Sequence, residues 1–326
     1  MRRIIVLADR ESGKGSRFSR YAWIVLAFNL AVVLWGALVR ATGSGAGCGG
    51  HWPLCNGEVL PSTAAQATLI EFTHRVLSGI ALVLVVGLWI WALRRFPREA
   101  SARKWTWAAL GLILVEALVG AGLVLMEWVG QDASTGRAAS IVLHLIITFG
   151  LLASLALAAW HGGPTRAAAP PAVPTVIAGA LILGMLVVGM SGALTALGDT
   201  LFPPETLRQG LTQDIAPGAH FLIRLRALHP LLSGAVVIGG ILWADARRRV
   251  VSQRGAKWRL TVLRGLLLIQ LAAGAANVIL LAPLWLQILH LLLANLVWLL
   301  LVLCLAEGGR AGAVSASDAQ ASPTLA

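Results

Sequence analysis

The sequence predicts an all-α membrane protein with eight transmembrane helices, arranged as two tandem four-helix bundles related by pseudo-two-fold symmetry. Hydrophobic residues make up 58% of the 326 residues and charged residues only 12%, about half the charged share of a typical soluble domain. The hydrophobic residues form long runs, and the second half of the chain repeats motifs of the first. Composition, run length and the internal repeat therefore predict the fold class.

Eight segments are long and apolar enough to cross roughly 30 Å of hydrocarbon, which takes about 20 residues. The first follows a basic stretch, as a signal peptide does, but it is long and lacks a small-residue cleavage site, so we interpret it as a retained helix. The predicted spans cover residues 21–40, 70–93, 105–127, 138–160, 174–197, 221–244, 259–281 and 284–306.

Lys and Arg are concentrated in alternate connecting segments, which predicts how the spans are oriented. They cluster before the first span and after the second and sixth, whereas the loops at 41–69 and 198–220 contain only Arg208. By the positive-inside rule both termini are cytoplasmic, and loops 41–69, 128–137 and 198–220 face outward. We therefore attribute the net charge of +12 to topology in the plasma (inner) membrane. No nucleic-acid-binding motif is present in the sequence.

The spans divide the chain into five segments. A basic cytoplasmic tail precedes two helical halves, which a linker joins, and a small, polar cytoplasmic tail that we expect to be disordered ends the chain. The predicted boundaries are 1–20, 21–160, 161–173, 174–306 and 307–326.

The two halves share motifs at nearly constant offsets. Because four spans return the chain to the side on which it started, the two copies have the same orientation, as in repeats related by an axis along the membrane normal. The matched segments are "HRVLSG" (74–79) with "HPLLSG" (229–234), "GLILVEALVGAGLVLM" (111–126) with "GLLLIQLAAGAANVIL" (265–280), "GAL" (36–38) with "GAL" (192–194), and "VLHLIITFGLL" (from Val142) with "ILHLLLANLVW" (from Ile288).

Four of the seven histidines belong to this repeat and lie near the outer ends of the even-numbered spans: His74, His144, His229 and His290. Ionisable groups inside a membrane are rare and usually functional, and neutral imidazoles on facing helices suit a haem iron. The repeat predicts two bis-histidine haem sites, pairing His74 with His144 and His229 with His290. The alternative is that these imidazoles only pack, or hydrogen-bond to a neighbouring helix.

The residue three positions before the first histidine differs between the halves. Glu71 precedes His74, whereas Arg226 precedes His229, and this spacing places both members of each pair on one helix face. The carboxylate suits a site of chemistry, and the cation suits a resident haem with Arg226 near its propionates. The alternative for Glu71 is an ordinary first-turn acid that the helix dipole favours.

Other polar residues near the predicted outer surface have two or more interpretations. Cys48 and Cys55 lie in an outward loop, where we favour a disulfide over a free or metal-bound pair. Arg40 and Arg75 could bind propionates bidentately or snorkel at a helix end. Glu116, whose counterpart in the repeat is Gln270, could be a buried arginine partner, part of a proton path or a protonated core residue.

The segment "VRATGSGAGCGGHWPLCNG" from Val39, followed by "EFTHRVLSG", resembles the first-half signature of the haem A synthase family. The eight spans, the duplicated halves and the four histidines extend the resemblance over residues 20–306. It implies oxidation of the C8 methyl of haem O to a formyl group by successive hydroxylations, giving haem A for cytochrome oxidase.

The resemblance also implies roles for particular residues. Haem b would lie on His229 and His290 and the substrate near His74 and His144, with Glu71 in catalysis. The Cys48–Cys55 pair would form a disulfide. Some family members carry a second cysteine pair in the loop corresponding to 198–220, which has none here, so a thiol relay between the two loops lacks its second pair.

Expected partners are haem O, haem O synthase, a membrane or quinone electron acceptor and a second copy of the chain. The main alternative function is a non-enzymatic di-haem cytochrome b that takes electrons from quinol, because histidine pairs alone fit it equally well. A transporter is a second alternative, since parallel repeats are common there, but the spans lack the Gly/Pro breaks of discontinuous helices.

Overall fold

The computed structural model describes residues 2–62, 65–163 and 173–308. These residues form α-helices and one short 3-10 helix, and their only β-type pairing is an isolated bridge between Cys55 and Glu58. The predicted all-α class is therefore confirmed. The helices are α1 (Arg2–Ala41), the 3-10 helix (Ser44–Ala46), α2 (Gln66–Arg95), α3 (Ser101–Leu125), α4 (Thr135–Gly162), α5 (Thr175–Leu201), α6 (Leu207–Asp214), α7 (Phe221–Arg226), α8 (Leu228–Val250), α9 (Arg254–Ile279) and α10 (Leu284–Gly308).

Eight helical segments in the described part of the chain are long and apolar enough to cross a membrane, and all eight correspond to predicted spans. Most extend beyond the predicted bounds because a helix needs backbone hydrogen bonds, not apolar side chains, to continue past the hydrocarbon. The basic segment 2–20 is likewise helical and continues into the first span. The predicted disorder of the C-terminal tail falls on residues 309–326, outside the described ranges.

The sixth span, predicted as a single helix over 221–244, is broken between α7 and α8 at Ala227. Pro230 explains the break, because proline has no N–H to donate to the carbonyl of Arg226 and its ring clashes with that group. In the first half Arg75 occupies the position of Pro230, and α2 continues through it. One substitution within the repeated motif thus makes the two halves differ.

The loop predicted over 198–220 is partly helical. α5 continues into it as far as Leu201, and α6 follows, begun by Thr206, whose side chain accepts a hydrogen bond from the backbone N–H of Gln209. This helix has only eight residues, too few to give a clear hydrophobic period, so the sequence prediction missed it.

Two large apolar clusters and a small third one of Ala138, Leu197 and Leu222 form the interior of the described part of the chain. One large cluster is built mainly from α1, α2, α3 and α4, and the other from α5, α8, α9 and α10, with Phe149 and Leu157 of α4 added to it. α4 and α10 meet where the ring of Trp298 stacks on Phe149 at 4.9 Å and its Nε1 donates to the Phe149 carbonyl at 2.8 Å. The pseudo-two-fold relation and the orientation in the membrane stay predictions.

Candidate functional site

The structure brings together the predicted histidine pair of the C-terminal half. The imidazole rings of His229 on α8 and His290 on α10 are nearly perpendicular, with centroids 6.5 Å apart. The corresponding residues of the N-terminal half are His74 on α2 and His144 on α4. In both halves the two imidazoles thus come from two even-numbered spans.

Glycines from the repeat lie directly against the first histidine of each pair. A Cβ at Gly36 would lie 3.1 Å from Cε1 of His74, and one at Gly192 would lie 2.9 Å from Cε1 of His229. Real Cβ contacts are rarely so short, so any larger residue would displace the ring. The repeated "GAL" tripeptide thus has a physical reason that the sequence alone did not reveal.

The second histidines differ in this respect. A Cβ at Gly274 would lie 3.1 Å from Cε1 of His290, whereas one at its counterpart Gly120 would meet nothing within 4 Å in the described part of the chain. His290 is therefore packed against its glycine, and His144 is not packed against Gly120. In the C-terminal half a glycine therefore packs against each of the two imidazole rings. In the N-terminal half a glycine of the repeat packs against the ring of His74 only.

Ser191 orients His229. The Ser191 hydroxyl donates to the Val188 carbonyl at 3.0 Å and lies 3.0 Å from Nδ1 of His229. When the hydroxyl proton is directed at Val188, the Ser191 oxygen is an acceptor for Nδ1–H, and that tautomer leaves Nε2 of His229 free to bind a metal. At the offset of the "GAL" repeat, Ser191 corresponds to Trp35, whose indole N–H instead donates to the Ile70 carbonyl at 3.0 Å. Sequence reasoning did not single out Ser191.

Glu116, whose role the sequence left open, lies beside His144. Its Oε1 accepts a hydrogen bond from the Thr148 hydroxyl, and its Oε2 lies 3.6 Å from Nδ1 of His144. In the other half the side-chain amide nitrogen of Gln270 lies 3.3 Å from Nε2 of His290. The second histidine of each pair thus has a polar partner on α3 or α9, a carboxyl group in one half and an amide in the other.

Glu71 is buried, and protein donors bind both its carboxylate oxygens. Oε1 accepts from the Arg75 guanidinium, at 3.2 Å from Nε and 2.5 Å from Nη2, and Oε2 accepts from the Cys48 N–H at 2.8 Å. The alternative of a first-turn acid is wrong, because α2 begins at Gln66 and has no acid in its first turn. Glu71 instead anchors the cysteine-containing loop to the helix that carries His74.

The cysteine loop is closed by a disulfide between Cys48 and Cys55, as predicted, and both cysteines are buried. Arg75 donates to the carbonyls of His51 and Leu54, each at 2.6 Å, in addition to its pair with Glu71. The three residues Glu71, Arg75 and Cys48, with the loop that the disulfide closes, are called the loop clamp below. The Arg75 guanidinium donates its hydrogen bonds to protein acceptors of the loop clamp. Its predicted contact with a propionate stays a prediction.

Arg226 plays a similar structural part in the second half. It is buried and pairs with Asp214 at 2.6 Å and with Asp199 at 3.1 Å, and it also donates to the Gly210 carbonyl at 3.4 Å. These contacts tie α6 to α5 and α7. The position three residues before the first histidine therefore holds the neighbouring connecting segment in both halves, with a carboxylate in one half and a guanidinium in the other.

Arg40 reaches across from the first half to the second. Its guanidinium at the end of α1 donates to Thr200 Oγ1 at 2.6 Å on α5 and to Gln287 Oε1 at 3.0 Å on α10. Gln287 is three residues before His290, so Arg40 lies near the outer end of the C-terminal pair. These contacts do not distinguish propionate binding by Arg40 from snorkelling at a helix end. A propionate contact of Arg40 therefore stays a prediction.

These features define the class: a multi-pass, all-helical membrane protein with two pairs of half-buried histidines and a disulfide-closed loop attached to the helix that carries one of them. The family model of cytochrome oxidase assembly proteins (COX15-CtaA) matches residues 19–302. The chain belongs to this family, as the resemblance in its sequence predicts.

Curated relatives agree with the family assignment. A "Heme A synthase" of Symbiobacterium thermophilum is 33% identical over 259 residues, covering 76% of this chain and 80% of the relative. Another, of Alkalihalophilus pseudofirmus, is 41% identical over 143 residues, covering 43% and 45%. A Thermus thermophilus protein named "Protoheme IX farnesyltransferase" is 50% identical over 297 residues, which is 88% of this chain but 48% of that protein. The chain thus spans about half the length of this Thermus relative.

Proposed function

We propose that this chain is a haem A synthase, a membrane oxidoreductase that converts the C8 methyl of haem O to a formyl group. Its family and two relatives named "Heme A synthase" support this proposal. The observation that carries it is the buried Glu71 carboxylate, placed three residues before His74 and matched by a guanidinium in the other half.

The C-terminal half fits a resident haem b. Glycines contact the rings of His229 and His290, and the Ser191 oxygen leaves Nε2 of His229 free. These two histidines would hold the iron, with Arg226 and Arg40 proposed near the propionates. When bound, haem b supplies one-electron redox chemistry that relays electrons from the substrate toward a membrane or quinone acceptor.

The N-terminal half is the proposed substrate site, with haem O near His74 and His144. Oxidation of the C8 methyl by two successive hydroxylations would give a gem-diol, which loses water to form the aldehyde. Each hydroxylation takes one oxygen atom from water, passes two electrons to the membrane or quinone acceptor and releases two protons. Because Arg75 and the Cys48 N–H hold Glu71 as an acceptor on both oxygens, it suits stabilisation of positive charge developing at the methyl carbon better than uptake of a proton.

The proposed partners follow from the substrate. Haem O carries a farnesyl chain, so a lipid-facing pocket and a haem O synthase as supplier are expected. The name of the Thermus relative fits such a partner, but it belongs to a protein about twice as long, so we do not assign farnesyl transfer to this chain. We place the chain in the inner (plasma) membrane with the histidines and the cysteine loop on the extracytoplasmic side.

Pigment extraction tests the proposal. Cells that make haem O but no haem A should accumulate haem A when they express this chain, and much less when they express Glu71→Gln, because the charge at the methyl carbon is lost. Glu58→Gln, at an exposed acid of the same loop, is the matched control and should retain activity. Haem b alone from the unchanged chain would favour the di-haem cytochrome. Full activity of Glu71→Gln would remove the role assigned to that residue.

A further inference from the structure

Glu116 on α3 is a carboxylic acid in the middle of an apolar span, and the reaction proposed above does not use it. Thr148 satisfies its Oε1, but Oε2 has no hydrogen-bond partner among the described residues, and neither has Nδ1 of His144. These two buried atoms face each other at 3.6 Å, slightly beyond hydrogen-bond distance. A buried polar atom without a partner destabilises the folded protein, and a small rotation of the His144 ring would pair these two atoms.

We propose that Glu116 is a positioning residue for His144, whose Nδ1–H it accepts so that Nε2 faces the haem of the N-terminal half. The inference rests on the proposed function, because it takes His144 as an iron ligand there. Histidines that bind a metal usually donate their other ring N–H to a carboxylate or carbonyl, which fixes the tautomer and makes the imidazole a stronger electron donor.

The second half provides an internal comparison. Through the repeat, Glu116 corresponds to Gln270 and Thr148, which is four residues after His144, corresponds to Ala294, which is four residues after His290. The carboxylate and the hydroxyl that anchors it are therefore both absent from the C-terminal site. There the oriented histidine is His229, and its acceptor is the neutral hydroxyl of Ser191.

The chemical consequence is a difference in electron donation to the two irons. A carboxylate that accepts Nδ1–H increases the negative charge on the imidazole and so stabilises ferric over ferrous iron. A serine hydroxyl does this much less. We therefore expect the haem of the N-terminal half to have its midpoint potential lowered by Glu116, whereas no such effect acts on the haem of the C-terminal half.

Spectroelectrochemical titration of the purified full chain, loaded with haem b and with haem O as the probe of the N-terminal half, tests this. His290→Ala identifies the C-terminal component by its loss. Glu116→Gln, which keeps the shape of the side chain, should raise the potential of the other component only. Glu116→Asp retains the charge and should give an intermediate potential. The charge-matched control is Asp245→Asn, since Asp245 on α8 lies about 24 Å along the helix from His229.

Three results would overturn the inference. Two haem components whose potentials do not change in Glu116→Gln would contradict it while leaving both proposed haem sites in place. A change confined to the component that His290→Ala removes would assign Glu116 to the wrong haem. If the unchanged chain supplied with haem O binds haem in the C-terminal half alone, the N-terminal haem site of the proposed function fails, and the role of Glu116 fails with it.

Discussion

At the scale of single residues, the histidine rings of the candidate site pack against glycines, which have no side chain to displace them. Gly36 and Gly192 leave the space that His74 and His229 occupy. A methyl group at either position would lie closer to Cε1 of the imidazole than an ordinary van der Waals contact allows. Ser191 and Glu116 then add hydrogen-bond acceptors that differ between the halves. The imidazoles are the repeated part of the site, and their immediate neighbours make the two pairs unequal.

This packing predicts a site-specific effect of small substitutions. Gly36→Ala and Gly192→Ala each force an imidazole to move, at a cost of about 1–3 kcal/mol for an overpacked contact, and each should reduce haem binding in its own half only. The haem-to-protein ratio of the purified variants measures this. Gly79→Ala is the control, because its methyl would meet nothing within 4 Å in the described residues. Full haem content in both test variants would show that the glycines do not set the ring positions.

At the scale of elements, the loop clamp connects the disulfide-closed loop to α2. Glu71 and Arg75 are four residues apart on that helix, and both are largely buried. Removal of one partner from a buried ion pair leaves a charge without compensation, which costs about 3–5 kcal/mol. The clamp therefore holds the loop over the His74 site more firmly than the disulfide alone, which closes the loop but does not attach it to the helix.

Arg75→Gln should release the loop. We expect faster hydrogen–deuterium exchange over residues 47–57 and a lower melting temperature, because the Glu71 carboxylate loses its cation and the His51 and Leu54 carbonyls lose their donor. Exchange mass spectrometry in detergent measures both the extent and the location of the change. Arg208→Gln, at an exposed arginine of the other outer loop, should leave exchange in this region unchanged. Unaltered exchange in Arg75→Gln would mean that the disulfide suffices to hold the loop.

At the scale of the whole molecule, the sequence predicted the fold and the histidine pairs because both depend on regularities along the chain. Span length and composition are local, and the repeat fixed which histidines correspond. The break at Ala227 was missed, although Pro230 was a visible signal for it. The partners of Glu71, Arg226 and Glu116 could not be predicted, because they depend on helix rotation and on the path of loops, which hydrophobic pattern does not determine.

The two halves also meet closely enough to act together. Trp298 stacks on Phe149 between α10 and α4, and Arg40 joins α1 to α5 and α10. The proposed substrate pair and the proposed resident pair lie on adjoining bundles, which suits transfer of electrons from one haem to the other. The proposed function therefore requires a division of roles between the two halves.

The most direct measurement of that division is the visible spectrum of the purified chain from cells that make haem b but no haem O. We predict a low-spin haem b that disappears in His229→Ala and in His290→Ala, because each removes one axial ligand. The same spectrum should persist in His74→Ala and His144→Ala, whose imidazoles serve the substrate. Survival of the low-spin spectrum in both C-terminal variants, or its loss in the N-terminal ones alone, would contradict the account.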